Sequence, residues 1–180
     1  MAALEAGSTF VAMLQGMPAG TIAPSRIGLG RPASNAELPM IAVSIARARE
    51  SAIGIGDLVQ LSRTPPENWA QTTGSRVVCD IGVELWAASA AEISTLTSAV
   101  VTRVQTQAGA LRDSGFQALS LTSFGPAQPR PAGADLAKMM PLTFAATFEH
   151  LVTPPPSGEG VIKTVHVDLV GEIGETTDIH

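Results

Sequence analysis

Three histidines, His150, His166 and His180, hold most of the coordination and acid–base potential of this 180-residue chain. His150 and His166 lie in two segments with strand-like alternation, residues 142–151 and 161–170. If those segments paired, two imidazoles would face each other, and Asp168, on the parity of His166, would add a third ligand for a zinc-type ion. Glu149 has the opposite parity to His150 and would not join them. A small α+β ligand-binding or metal-dependent enzyme domain built on His150, His166 and Asp168 is therefore one reading. Solvent-facing strand histidines are the commoner case, and His180 is the last residue given.

Other chemistry is sparse. Asp80 and Glu84 share one parity of a strand-like run, a spacing able to support acid–base work; a solvated strand face explains them more simply. Gly54-Ile55-Gly56 lacks the third glycine of a phosphate loop, and Leu58-Val59-Gln60-Leu61 continues as strand and not as helix. The chain has no Gly-x-Ser-x-Gly elbow, no His-Glu-x-x-His and no P-loop. No serine has a histidine and a carboxylate at local spacing, although such triads assemble from distant positions. The one cysteine, Cys79, falls on an apolar strand parity; this excludes a disulfide framework and reads as a buried hydrophobe with a suppressed thiolate. With no tyrosine and 4% aromatics, stacking platforms for bases or sugars are scarce. No catalytic, cofactor-binding or metal-binding residue is assigned, and neither enzyme activity nor a cofactor is expected.

The elements that would position these residues are better defined. In residues 76–86, Val77, Cys79, Ile81, Val83 and Leu85 alternate with Asp80 and Glu84, as a half-buried strand requires. Ser89-Ala90-Ala91-Glu92 has the spacing of a capping box. Ile93, Leu96, Val100, Val104, Ala108 and Leu111 then form one helical stripe, and Gly115 stops the helix. A first helix is expected over residues 2–15, ended by Gly16 and Pro18. Residues 16–38 are irregular, with one short strand near 26–29.

Strands at 40–47 and 53–61 would pair through a turn at Arg49-Glu50-Ser51, and Thr64 to Trp69 reads as a loop. Trp69 would anchor that loop on the core or sit at a protein contact. In the strand at 116–124, Leu119 and Leu121 would share one face, with Phe116, Ala118 and Phe124 on the other. Prolines 126, 129 and 131 make residues 125–135 an exposed arm or loop. In the strand at 142–151, Leu142, Phe144, Ala146 and Phe148 face inward. Three prolines stiffen residues 153–158 before the last strand at 161–170, and residues 171–180 form a polar tail. The sequence carries no internal repeat. Strands grouped around one long helix indicate α+β: one domain over residues 1–180, a mainly antiparallel sheet, the long amphipathic helix on one face and a short N-terminal helix.

Composition narrows the partners. Charged residues are 15% of the chain against 45% hydrophobic. Much of the surface is then Ala, Ser, Thr and Gly, suited to being covered by neighbouring subunits; a compositional bias toward small residues is the other reading. The net charge is −5, the pI is about 5.1, and no cluster of four Lys/Arg occurs, which argues against direct nucleic-acid binding. The first 14 residues have neither a basic region nor an apolar core, so no signal peptide is expected. No run of about 18 apolar residues marks a membrane span, and a soluble, cytosol-made product is expected.

One family pattern fits these elements. The run Val83-Glu84-Leu85-Trp86-Ala87-Ala88-Ser89-Ala90-Ala91-Glu92, the helix after it and Ser114-Gly115-Phe116-Gln117-Ala118-Leu119 resemble phage tail-terminator (tail-completion) proteins, including cap proteins of contractile injection systems. Leu85-Trp86-Ala87 stands where that family's strand feeds its helix, and Gly115-Phe116-Gln117-Ala118-Leu119 where its next strand begins. Residues 141–149 resemble the closing strand, so the likeness covers about residues 76–150. It implies an α+β subunit that forms a hexameric ring and caps a tail tube or sheath. Its partners would be copies of itself and tube, sheath or neck proteins. It would sit in a virion tail or contractile injection particle assembled in the bacterial cytoplasm. A baseplate, head–tail joining or sheath-adaptor subunit of the same machinery is the neighbouring alternative. The family has no catalytic residues to carry over.

Overall fold

The computed structural model describes residues 2–30, 37–54, 58–64, 68–132 and 135–153. In chain order the elements are helix α1 (Ala2–Gln15), strands β1 (Ile27–Leu29), β2 (Met40–Ala52), β3 (Leu58–Thr64) and β4 (Asn68–Ala87), helices α2 (Ala90–Thr106) and α3 (Ala108–Asp113), and strands β5 (Phe116–Phe124), β6 (Gln128–Ala132) and β7 (Asp135–Val152). The strands form one sheet in the order β1-β2-β4-β7-β5, with β3 also on β4 and β6 also on β7. Among the described residues, only β1 and β2 pair in parallel. The fold is α+β with a mainly antiparallel sheet, as the sequence pattern indicates.

Alternation sets the two faces of the sheet. Val77, Cys79, Ile81, Val83 and Leu85 of β4 are buried, as are Leu142, Phe144, Ala146 and Phe148 of β7. These residues pair across the sheet, Cys79 with Ala146 and Ile81 with Phe144. The helices cover this face. Phe10 and Leu14 of α1 join Ile93, Leu96 and Val100 of α2 in the same core cluster. Two ring contacts fix the packing, Phe10 tilted on Phe144 at 5.5 Å and Phe116 edge-on to Phe148 at 5.1 Å. The opposite face has no helix among the described residues. It carries Asp80, Gly82, Glu84, Thr143, Ala145 and Glu149, none of them buried.

The expected strand-into-helix unit is present. The Ser89 side chain accepts from the Glu92 backbone N–H, and the Glu92 carboxylate accepts from that of Ser89, closing the capping box. The helix is not one rod, however: it breaks at Gln107 into α2 and α3. Ala108, placed on the buried stripe from sequence, is exposed; the break brings Leu111 back onto the core instead. Gly115 reverses the chain with a φ of 103°, and a Cβ there would lie 2.6 Å from the Glu149 carbonyl oxygen, so only glycine fits.

Both hairpins differ from the sequence expectation. Arg49-Glu50-Ser51 is not a turn; these residues stay in β2 and pair with Val78, Val77 and Arg76 of β4. A bulge between Ala46 and Arg49, with Arg47 at a φ of 51°, absorbs one extra residue and lets the strand continue. Strand β3 follows β2 along the same edge of β4 and does not pair with it. Gly54 leaves the strand, and the strand assigned to 53–61 starts only at Leu58; residues 55–57 lie outside the described set. The reversal falls between Thr64 and Asn68, so Trp69 has its backbone in β4 and not in a loop.

On the other side, residues 128–132 are strand β6 and not a loop. The proline rule excludes a central strand, and β6 obeys it by lying at the edge, with Pro129 and Pro131 opposite Lys138 and Leu136. The parity assigned to residues 116–124 is also corrected: bulges after Phe116 and Leu121 place Phe116, Leu119, Leu121 and Phe124 all opposite core-facing residues of β7. The final strand at 161–170 and the tail at 171–180, with His166, Asp168 and His180, lie outside the described residues.

The topology contains a repeat that the sequence does not display. Each half is a helix followed by a long hairpin: α1 with β2/β3–β4, then α2/α3 with β5/β6–β7. Each hairpin's first strand breaks once, after Ala52 opposite Ser75 and after Phe124 opposite Leu142. Aligning Ser75 with Leu142 also aligns the strand starts Asn68 and Asp135, and lays Val77, Cys79 and Ile81 on Phe144, Ala146 and Phe148. Because β4 and β7 are antiparallel neighbours, the halves are related by a local two-fold normal to the sheet.

Candidate functional site

The central pairing of β4 with β7 runs from Thr73↔Val152 to Ala87↔Lys138. Both hairpins outrun it. Residues 68–72 of β4 pair with β3 alone, forming a first arm at one end. Residues 135–137 of β7 pair with β6 alone, forming a second arm at the other end. Among the described residues, these arms and the outer strands are flanked by a neighbouring strand on one side only.

Most edges are blunted. Strand β5 has two bulges, β6 has two prolines, and β2 has the Arg47 bulge with Arg47, Arg49 and Glu50 exposed. The edge of β3 is less guarded. It has one irregularity, between Leu58 and Gln60, and exposes Val59 and Leu61. Leu151 and Val152, at the end of β7 nearby, are also exposed. Gly74 explains how these residues gather. A Cβ on it would lie 2.7 Å from Leu151 Cδ2 and 2.8 Å from both Ile53 Cδ1 and Val59 Cγ2. Three apolar side chains therefore close over a bare backbone at the base of the first arm.

The polar residues singled out from sequence are engaged elsewhere. His150 lies on the core-facing parity of β7, part-buried, with Nδ1 against the Glu5 carboxylate of α1. Its Cα partner is Ser75, whose hydroxyl donates to Glu50 Oε1 at 2.6 Å. Glu50, Ser75, His150, Thr73 and Val152 line an open cavity of about 360 Å³. Local spacing gave no sign of this cluster, because Glu5, Glu50, Ser75 and His150 meet only through sheet pairing and helix docking. The serine hydroxyl is directed at Glu50 and the imidazole Nδ1 at Glu5. Among the described residues no group of three His, Cys, Asp or Glu is arranged to hold a metal ion. His166 and Asp168 are not among them.

On the opposite face Glu149 accepts from Arg76 Nη2 at 2.6 Å and from Gln117 Nε2 at 3.1 Å. Asp80 pairs with Arg47 Nε at 2.7 Å, and Glu84 accepts from Trp86 Nε1 at 3.1 Å. Asp80 and Glu84 are thus tied into separate contacts on the helix-free face, each part-exposed. Cys79 is buried in the core, and burial, then the neighbouring Asp80 charge, pushes its thiol pKa up. No helix among the described residues is long and apolar enough to cross a membrane. No protein-family model matches the chain, and no curated protein matches it.

Proposed function

We propose that this protein is a structural, ring-forming subunit that caps or terminates a phage-like tail tube or sheath, in a virion tail or a contractile injection particle. The observation that carries the reading is the pair of hairpin arms reaching past opposite ends of the sheet. A ring of identical subunits needs two different contact surfaces on each copy, one giving and one receiving. Arms at opposite ends, around a shared core, supply two such surfaces. Unpaired backbone at an arm or edge is a template for another chain's strand. The engaged polar side chains and the sequence likeness to tail terminators support the same reading. In it the subunit acts by shape: copies close into a hexameric ring, the ring seats on the tube end, and growth stops.

Particle images of the purified chain, alone and added to growing tubes, test this. Closed rings seated at tube ends are the expected result. A chain that never joins a tube or sheath contradicts it. Rings found only at a baseplate or neck reassign the position within the same machinery.

A further inference from the structure

We propose that the outer edge of β5 is a contact with the β5 edge of a second copy, the two strands pairing antiparallel about a two-fold axis. The proposal goes beyond the ring reading and stands apart from it, because a two-fold contact joins copies in pairs while a ring's contacts run head to tail. Strand β5, Phe116–Phe124, ends the sheet, with β7 on one side and no strand on the other among the described residues. Its two bulges bracket Ala118–Leu121, which keeps a regular register against β7. Thr122, the extra residue of the second bulge, donates its hydroxyl to the Thr143 carbonyl at 3.0 Å and so directs it inward.

The side chains of β5 leave an apolar strip uncovered. Leu119, Leu121 and Phe124 stand opposite Ala146, Phe144 and Leu142, on the helix-bearing face. Helix α2 packs on β4 and β7, and the short α3 is the helix that packs on β5. Exposure rises along the strand, from Phe116 at 1% to Leu121 at 39% and Phe124 at 69%. The fold itself does not require apolar residues there. In the first half the matching positions, opposite Val77 and Ser75, hold Glu50 and Ala52, both exposed.

Charge selects a second copy as the occupant. A two-fold contact sets a strand against itself, so a charge near the axis meets its own sign. Arg47 and Arg49 put that repulsion on β2, Arg63 on β3 and Arg130 on β6, while β1 has only three residues. Strand β5 escapes it, because no charged residue occurs from Ser114 to Pro129. Self-pairing gathers Leu119, Leu121 and Phe124 with their counterparts on one face, and Ala118 and Ser120 with theirs on the other. The axis is normal to the sheet, so both helical layers stay on one side and the two apolar strips merge between them. Two chains of net charge −5 then meet where neither carries charge.

Single substitutions in the full chain test this. Ala118→Cys, Leu119→Cys, Ser120→Cys and Leu121→Cys chains are each purified alone and oxidised with copper phenanthroline, while native mass is measured in parallel. Buried Cys79 stays silent. Only a two-fold contact brings a residue against its own copy. At least one of the four should therefore give a two-chain product, absent from Ser8→Cys on the exposed side of α1. Phe124→Asp, and Leu121→Glu, which copies the residue type at the matching position of the first half, should each raise the dissociation constant of the pair. The expected rise is at least about a hundredfold, tenfold for each copy's lost apolar contact, with circular dichroism unchanged. No self-linked product from any of the four, or one that Ser8→Cys matches, overturns the contact even where rings form. So does a pair that neither Phe124→Asp nor Leu121→Glu weakens. Self-linked pairs that never close into rings uphold the contact and overturn the ring reading alone.

Discussion

Arg103 and Cys79 show how single residues hold this fold. Arg103 reaches from α2 to α1, where its Nε donates to the Met13 carbonyl at 3.0 Å. It satisfies a carbonyl in the last turn of a helix and places positive charge at the negative end of the helix dipole. Arg103→Met should cost about 1–2 kcal/mol, measured as a lower urea midpoint. Cys79 makes a pH prediction. Its folded-state pKa is raised, so as pH climbs past the ordinary thiol value of 9.0 the unfolded chain loses its proton first. The thiol's contribution is therefore complete below that value and is lost above it. Urea midpoints should fall above pH 9.0, and Cys79→Ala should make that fall shallower. A thiol reagent should label the folded chain far more slowly than the unfolded one.

At the scale of elements, the strand–helix unit at residues 76–106 was legible because period two, a capping box and period 3.6 follow one another without conflict. Ser89→Ala should destabilise the protein by about 1 kcal/mol, read by thermal or urea unfolding with Ala90→Ser as a neutral comparison. The hairpins were less legible. Arg49, Glu50 and Ser51 have turn-like composition, yet β4 provides partners for all three, and the Arg47 bulge lets the strand run on. Two bulges in β5 reverse a parity that alternation alone cannot count through. Prolines at 129 and 131 mark an edge as readily as a loop. The polar cluster at His150 was hidden for another reason. Glu5 and Ser75 are far from it in sequence, and only the β4–β7 register and the docking of α1 bring them near.

The whole molecule is two helix-and-hairpin halves about a local two-fold, with a shared helical layer on one sheet face and arms directed to opposite ends. This arrangement places one hairpin arm at either end of the shared core. The central claim is that the chain works by assembling with copies of itself. The most direct test is the native mass of the purified full chain, by size exclusion with light scattering over a range of concentrations. Six copies of the 18.5 kDa chain in one closed species would agree with it. A single 18.5 kDa species at every concentration would contradict it.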